Sequence, residues 1–186
     1  MMKDDVLKVL ISEKQLAARA QELGAQISQD YAGKTLVVVS VLKGSFIFMS
    51  DLLRAMDIHT EIDFMVVSSY DGGVVSTGAV KLLKDIYLPI EGRDVLIVED
   101  ILDTGKTLAY IREYISGRKP NSIKICTLLD KPERRVADVN ADYVGFTIPD
   151  EFVIGYGLDY DEKYRNLPYI GVLKPEVYSK EDLEKL

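Results

Sequence analysis

Residues 95–107 read Val95-Leu96-Ile97-Val98-Glu99-Asp100-Ile101-Leu102-Asp103-Thr104-Gly105-Lys106-Thr107, and this stretch decides the fold. Its apolar start is typical of a buried strand, and a turn with glycine follows. A helix that begins after such a turn offers free backbone N–H groups and the positive end of its dipole to a phosphate. The stretch therefore predicts a strand, a loop and a helix that together bind a phosphate, with the hydroxyls of Thr104 and Thr107 as further donors.

A Walker A loop is one class of phosphate site that this stretch excludes. Such a loop ends as Gly105-Lys106-Thr107 does, but the first glycine that it requires, five residues before Gly105, is Asp100 here. The predicted phosphate site is therefore of another class.

Three acids, Glu99, Asp100 and Asp103, lie beside the predicted anion site. Adjacent carboxylates accept hydrogen bonds from the cis-diol of a ribose and help to hold a divalent metal ion. The alternative is an acidic turn with ordinary capping roles, but capping explains one acid at a helix start and not three. A sugar phosphate is the ligand that this pattern indicates.

Strand and helix patterns alternate along the chain, which indicates an α/β fold. Short runs rich in Val and Ile predict strands buried on both faces of a parallel sheet. Ser12 and Gln15 have the spacing of a capping box at the start of a first helix. The predicted strands are residues 35–42, 62–67, 95–98 and 123–129, and two further helices are predicted at residues 46–56 and 104–115.

Two regions break this alternation. Residues 68–78 contain three glycines and little to bury, so we expect a loop of the kind that serves as a lid. Residues 142–173 contain short β-like pieces that follow one another too closely for helices, and they predict a cap beside the main sheet. The mostly charged residues 174–186 predict a solvated terminal turn.

Composition limits the function classes. With 186 residues, 47% of them hydrophobic, residues 1–186 are expected to form one domain. The net charge of −7 argues against nucleic acid as a partner. No apolar run reaches the roughly 20 residues that span a membrane, and an acidic start argues against a signal peptide, so we expect a cytoplasmic protein. The single cysteine, Cys126, predicts core packing, and the lone His59 argues against histidine-based hydrolysis.

The segment from Val98 to Thr107 resembles the diphosphoribosyl-diphosphate signature of the type I phosphoribosyltransferases. Other stretches resemble the hypoxanthine-guanine branch of that family, and the match runs from about Leu10 to Lys174. The resemblance implies a central, mostly parallel, twisted sheet flanked by helices, with a small cap formed largely by the C-terminal region. It also implies Mg²⁺ as cofactor, phosphoribosyl diphosphate, hypoxanthine and guanine as substrates, and a homodimer or homotetramer.

In that family the acids of the signature bind the ribose. By resemblance, Glu99 and Asp100 contact the ribose hydroxyls and help to hold the metal. Asp103 resembles the general base, placed to take or share the proton at purine N7 while N9 attacks the ribose C1′. The residues that would cradle the 5′-phosphate are Asp103, Thr104, Gly105, Lys106 and Thr107.

Separate segments resemble the family's diphosphate site. Leu42-Lys43-Gly44 resembles a loop in which a cis peptide precedes the lysine, although these residues alone also fit a plain turn after a strand. Asp159 resembles the residue that holds Mg²⁺ on the diphosphate, and Arg165 resembles the one that clasps the diphosphate itself.

Ser69-Tyr70 resembles the start of a lid that excludes water during bond exchange, because water would capture an oxocarbenium-like transition state. A surface loop is the alternative. Residues 71–77 receive no assignment.

The residues that would recognise the purine base lie far downstream of the signature. Lys131 resembles the lysine that donates to the purine 6-oxo group, Phe152 the ring that stacks on the base, and Val153 a backbone contact, with Asp159 near the 2-position. Alone, Lys131 also fits a solvated turn and Phe152 a core position. A lysine at the 6-position disfavours adenine, since a site that reads one polar group discriminates by roughly 10,000-fold.

Two rival functions remain to be weighed. Some relatives of this fold are RNA-binding attenuation regulators, but those need a basic face, which the acidic composition disfavours. The other rival is an enzyme for adenine, orotate or xanthine, and xanthine is the hardest to exclude because it also carries a 6-oxo group. The sequence does not rank hypoxanthine, guanine and xanthine.

Overall fold

The computed structural model describes residues 1–69 and 80–178, and within them a central sheet of six strands carries the fold. The strands of this sheet are β2 (Leu36–Leu42), β3 (Thr60–Ser69), β4 (Val80–Lys84), β5 (Asp94–Leu102), β6 (Ser122–Asp130) and β7 (Tyr143–Thr147). Their order across the sheet is β4-β3-β2-β5-β6-β7, and all neighbours are parallel except β3 and β4. The predicted mostly parallel α/β sheet is confirmed.

Helices cover both faces of this sheet, which explains the continuous apolar strands. α1 (Glu13–Asp30) and α2 (Phe46–Ala55) pack on one face, and α3 (Lys106–Ser116) packs on the other. The residues from Val95 to Val98 are fully buried. The predicted capping box is present, because Ser12 Oγ accepts from Gln15 N and Gln15 Oε1 accepts from Ser12 N.

A second, smaller sheet forms a hood beside the carboxyl ends of the main strands. Its order is β1-β9-β8, all antiparallel, with β1 (Val6–Ile11), β8 (Val153–Ile154) and β9 (Ile170–Leu173). The predicted cap is confirmed in part: β8 and β9 form it, but β1 from the start of the chain completes it. Assigning all of residues 142–173 to the cap was wrong, because β7 pairs with β6 in the main sheet.

Three predicted boundaries are corrected. β5 does not end at Val98 but continues to Leu102, because Glu99 and Ile101 keep their pairing with β6. α3 begins at Lys106 rather than at residue 104, since Gly105 has a φ of 82° and caps the helix in the left-handed region. The predicted loop at residues 68–78 begins two residues too early, because Ser69 still pairs with Val80.

Cys126 is buried in β6, and burial raises the pKa of its thiol, as expected for a packing residue. His59 is exposed and lies just before β3, at the opposite end of the sheet from the acids of the signature. Of the helices in the described part of the chain, none is long and apolar enough to cross a membrane.

Candidate active site

Three loops meet at the carboxyl ends of β2 and β5, which are neighbours in the sheet. The peptide bond between Leu42 and Lys43 is cis, as the resemblance implied. A Cβ on Gly44 would overlap the Asp100 carboxylate, and a Cβ on Gly157 would overlap the carbonyl oxygen of Gly44. Glycine is therefore needed at position 44 for the close approach to Asp100 and at position 157 for the close approach to the backbone of Gly44.

Glu99 and Asp100 form a pair of neighbouring acids at this junction. Burial, followed by the charge of Asp100, raises the pKa of Glu99 well above its usual value. Burial also raises the pKa of Asp100, although the backbone N–H of Ile101 donates to Asp100 Oδ1 over 2.7 Å. Glu99 Oε2 is buried and has no hydrogen-bond partner among the described residues. An unpartnered carboxylate oxygen beside a second acid suits a cation or a ligand hydroxyl.

These acids fit a metal ion only with help from a substrate. Within residues 1–69 and 80–178, no group of three or more His, Cys, Asp or Glu side chains is arranged to hold a metal. Mg²⁺ typically uses one or two protein carboxylates and takes its other ligands from waters and substrate phosphates. Glu99 and Asp100 match that donor set.

The predicted phosphate loop, residues 103–107, consists of the three residues between β5 and α3 and the first two residues of α3. Gly105 O accepts the first helical bond, from Ala109 N at 2.9 Å, so the first-turn N–H groups have no partner within the helix. Thr104 O accepts from the backbone N–H groups of Val136 and Ala137, each at 3.0 Å. Arg135 Nε donates to the carbonyl oxygen of Asp103 over 2.9 Å. These hydrogen bonds from residues 135–137 therefore hold the loop in place.

Arg135 was missed as a site-supporting residue by the sequence reasoning. Its guanidinium also pairs with Asp130 and donates to Val139 O at 2.7 Å. The only signal was a pair of arginines after Lys131, which looked like a solvated basic turn.

Asp103 carries an ion-paired carboxylate at the start of this loop. Its Oδ1 lies 3.2 Å from Arg134 Nε, an ion-pair distance. This buried oxygen nevertheless has no hydrogen bond of acceptable geometry with the described residues. It is therefore an unsatisfied acceptor, which is typical of a functional position.

Lys43, Asp159 and Arg165, the residues predicted to contact the diphosphate and its metal ion, come together through Glu162 and Gly157. Arg165 Nη2 lies 2.9 Å from Asp159 Oδ1, and Arg165 Nη1 donates to Gly157 O over 2.8 Å. Lys43 Nζ donates to both oxygens of Glu162 at 3.0 Å, and Arg165 Nη2 also reaches Glu162, at 3.3 Å. Glu162, which the sequence reasoning missed, thus bridges the two predicted diphosphate cations. The Arg165 Nε is buried and has no partner among the described residues.

A cavity of about 460 Å³ lies between the phosphate loop and the hood. Lys131 is buried in its wall, with 6% of its surface exposed, so the solvated alternative for this residue is wrong. Lys131 Nζ donates to the carbonyl oxygen of Glu151 at 2.7 Å. The other predicted residues that line the cavity are Asp103, Phe152, Val153 and Asp159.

Phe152 stacks on Tyr178, with ring centroids 5.0 Å apart and planes inclined by 22°. Tyr178 also lines the cavity, so the prediction that the chain after residue 173 is only a solvated turn is wrong at this position. No periodic pattern marks Tyr178, because its role depends on a contact with a distant residue. Of the predicted lid, Ser69 ends β3, whereas Tyr70 and residues 71–77 lie outside the described residues.

A loop at a helix start, a pair of buried acids and an adjoining cavity on a mostly parallel sheet agree with one class of protein. The chain belongs to the phosphoribosyltransferase family, since the model of the phosphoribosyl transferase domain matches residues 10–161. It is therefore an enzyme of phosphoribosyl transfer, as its signature predicted.

The proteins that this chain resembles belong to one branch of the family. The chain is similar to a hypoxanthine-guanine phosphoribosyltransferase of Streptococcus agalactiae, at 57% identity over 97% of this chain and 100% of the relative. A crystal structure of a hypoxanthine phosphoribosyltransferase from Staphylococcus aureus is 60% identical, with a TM-score of 0.92 over 96% of this chain and 97% of that one. A Trypanosoma cruzi hypoxanthine phosphoribosyltransferase is 44% identical, with a TM-score of 0.90 over 97% of each chain.

Proposed function

We propose that this chain transfers the 5-phosphoribosyl group from phosphoribosyl diphosphate to N9 of hypoxanthine or guanine, a purine salvage reaction. The C1′–O bond to diphosphate breaks, the C1′–N9 bond forms, and IMP or GMP is released with diphosphate. The observation that carries the choice of base is the buried ammonium of Lys131 in the wall of the cavity that Asp103 also lines. The ammonium has three N–H donors, of which Glu151 O and Asp150 Oδ1 take two, and the 6-oxo group would accept from the third.

In this proposal Asp103 takes or shares the proton of purine N7 while N9 attacks C1′. The support is the buried Asp103 Oδ1, which has an ion-pair partner but no hydrogen bond among the described residues. The purine would stack on Phe152 and contact the backbone at Val153. Both residues line the same cavity, with Phe152 held by its ring contact with Tyr178.

The ribose and its phosphates would be bound on the opposite side of Asp103. We propose that the 5′-phosphate takes the first-turn N–H groups of α3 and the hydroxyls of Thr104 and Thr107. The diphosphate would contact the Leu42-Lys43-Gly44 loop and the unpartnered Nε of Arg165. Both sites supply N–H donors and positive charge where the ligand carries negative charge.

We propose that Glu99 and Asp100 hold Mg²⁺ beside the ribose and that Asp159 holds Mg²⁺ on the diphosphate, where it would neutralise charge on the leaving group; waters and substrate oxygens would supply the remaining ligands. The residues themselves support this assignment by their chemistry. Burial raises the pKa of both Glu99 and Asp100, and the charge of Asp100 raises that of Glu99 further, so a bound cation would favour the ionised pair. The acidic net charge then does not oppose binding of the substrate, because the anion meets local Lys43, Lys106 and Arg165.

A turnover assay with Mg²⁺, phosphoribosyl diphosphate and each of four bases tests this function. We expect product from hypoxanthine and guanine and almost none from adenine, while xanthine reports how the 2-position is read. The absence of product from both hypoxanthine and guanine would refute the proposal.

Asp103→Asn tests the role of the base. The amide keeps the size of the side chain but does not accept a proton, so we expect turnover to fall about 100-fold to 10,000-fold with substrate binding largely kept. Binding is measured by titration of the variant with IMP. Unchanged turnover would remove Asp103 from the reaction.

We also propose that residues 1–186 form one cytoplasmic domain that assembles as a homodimer or homotetramer. The large exposed side chains of Leu83 and Tyr87, at 57% and 87%, support self-association. The lone Cys126, kept as a buried thiol, accords with a reducing compartment. Sedimentation would give the assembly state, and a single unfolding transition would support one domain.

A further inference from the structure

Four charged side chains alternate in sign along the wall of the cavity. Asp103 Oδ1 lies 3.2 Å from Arg134 Nε, and Arg134 Nη1 lies 3.6 Å from Asp150 Oδ1. The same Asp150 oxygen lies 3.3 Å from Lys131 Nζ. All four residues line the cavity of about 460 Å³. This charge chain connects the proposed proton acceptor, Asp103, to the proposed reader of the 6-oxo group, Lys131.

Arg134 and Asp150 are poorly placed to act on stability. Their side chains are 32% and 48% exposed, and ion pairs with such exposure contribute little to folding. Their placement instead fixes geometry. The guanidinium uses two different nitrogens, Nε for Asp103 and Nη1 for Asp150, so it acts as a rigid fork between two carboxylates.

The pairing does not engage Asp103 in a hydrogen bond. Arg134 meets Asp103 Oδ1 at an ion-pair distance, yet this buried oxygen has no hydrogen bond of good geometry among the described residues. The carboxylate is therefore oriented by charge rather than by a hydrogen bond. At the other end, Asp150 and the carbonyl oxygen of Glu151 hold the Lys131 ammonium.

We propose that Arg134 and Asp150 are positioning residues that set the separation between Asp103 and Lys131, so that a 6-oxopurine is gripped at its 6-oxo and N7 sides together. This inference rests on the proposed function. Purine N7 and the 6-oxo oxygen lie on the same side of the base, so an acceptor and a donor at a fixed separation recognise both in one step. A misplacement of about 1 Å between such groups slows a reaction by up to roughly 100-fold.

The test compares steady-state kinetics of the wild-type chain with Arg134→Gln, Asp150→Asn and the double variant, and Glu133→Gln is the control. Glu133 is exposed and belongs to the same short 3-10 helix as Arg134. We expect Arg134→Gln to lower kcat about 10-fold with the KM for phosphoribosyl diphosphate unchanged. Asp150→Asn should also raise the KM for hypoxanthine. The double variant should be no slower than the slower single variant, because either change breaks the same chain.

Two further readouts separate positioning from a structural or simple charge effect. The Tm of each variant should stay within about 3 °C of wild type, since exposed ion pairs contribute little. Arg134→Lys should remain as slow as Arg134→Gln, because one ammonium does not reach both carboxylates.

Several outcomes would overturn the inference. They are a kcat for Arg134→Gln within twofold of wild type, multiplicative losses in the double variant, or recovery in Arg134→Lys. If the wild-type chain turns over hypoxanthine and guanine and any of these outcomes is observed, the positioning role of Arg134 and Asp150 is refuted and the proposed function stands. A wild-type chain without turnover on either base would refute the proposed function and the chain with it.

Discussion

Replacing Gly105 by alanine strains the loop that is proposed to cradle the 5′-phosphate. Gly105 has a φ of 82°, a region that costs an alanine about 1 kcal/mol. The new Cβ would lie 2.7 Å from Val139 Cγ1 and 2.9 Å from Arg135 Cδ, where ordinary contact begins at 3.4 Å. Overpacking of this kind typically costs about 1–3 kcal/mol. The free energy of unfolding should therefore fall by about 2–4 kcal/mol.

The same steric overlap should also lower the catalytic activity. Arg135 donates to the carbonyl oxygen of Asp103, so a displaced Arg135 moves the loop that carries both the phosphate donors and the proposed base. A shift of several tenths of an ångström there should lower kcat/KM by roughly 10-fold to 100-fold.

Gly33→Ala is the matched control for this prediction. Gly33 has a φ of 75°, and an added Cβ would meet no atom of the described chain within 4 Å. It should lose about 1 kcal/mol of stability and keep its turnover. Urea unfolding and steady-state kinetics on both variants measure the two effects. If Gly105→Ala matched Gly33→Ala in both assays, the argument from loop packing would be refuted.

Three further substitutions test other parts of the molecule. Glu162→Gln removes a carboxylate that bridges two proposed diphosphate cations, so the KM for phosphoribosyl diphosphate should fall up to about 5-fold, and a rise would contradict this. The Ser122 hydroxyl lowers the pKa of Asp94, so the stability from Asp94 is present above its unfolded pKa of about 3.9 and is lost as pH falls through the folded pKa. The Tm deficit of Asp94→Asn should therefore be largest at pH 7 and should shrink as pH is lowered below about 4, whereas a constant deficit would disprove the linkage. Tyr178→Ala removes the ring stacked on Phe152, so the KM for hypoxanthine should rise roughly 2-fold to 10-fold, and equal rises for both substrates would argue against a role in the purine site.

Four of the six strands of the central sheet, β2, β3, β5 and β6, were predictable because they are rich in apolar residues, and the run from Val95 to Val98 is fully buried. The edge strands were not predicted, since no strand was expected at β4 and β7 was assigned to the cap. The hood was harder to predict, because β1 is half exposed and pairs with β9 across most of the chain. A pairing of such long range leaves no local pattern.

The candidate site also contains residues that could be predicted from the sequence and residues that could not. The acids and the Thr-Gly-Lys-Thr turn are contiguous, so the phosphate loop could be predicted from residue types alone. Arg134, Arg135, Glu162 and Tyr178 were missed, because each acts through contacts with residues that are distant in sequence or separated by a turn. The end of β5 was misplaced because Glu99 and Asp100 look like loop residues, although their backbone belongs to the strand.

The pairing of β1 with β9 also sets an order of events during protein synthesis. Val6 leaves the ribosome well before its partner Leu173. All strands of the central sheet have emerged once β7 is synthesised, whereas the hood waits for β9. The loop proposed to bind the sugar phosphate is therefore synthesised before the wall of the proposed base site. A chain truncated before Ile170 would keep every strand of the central sheet and lack β9 of the hood.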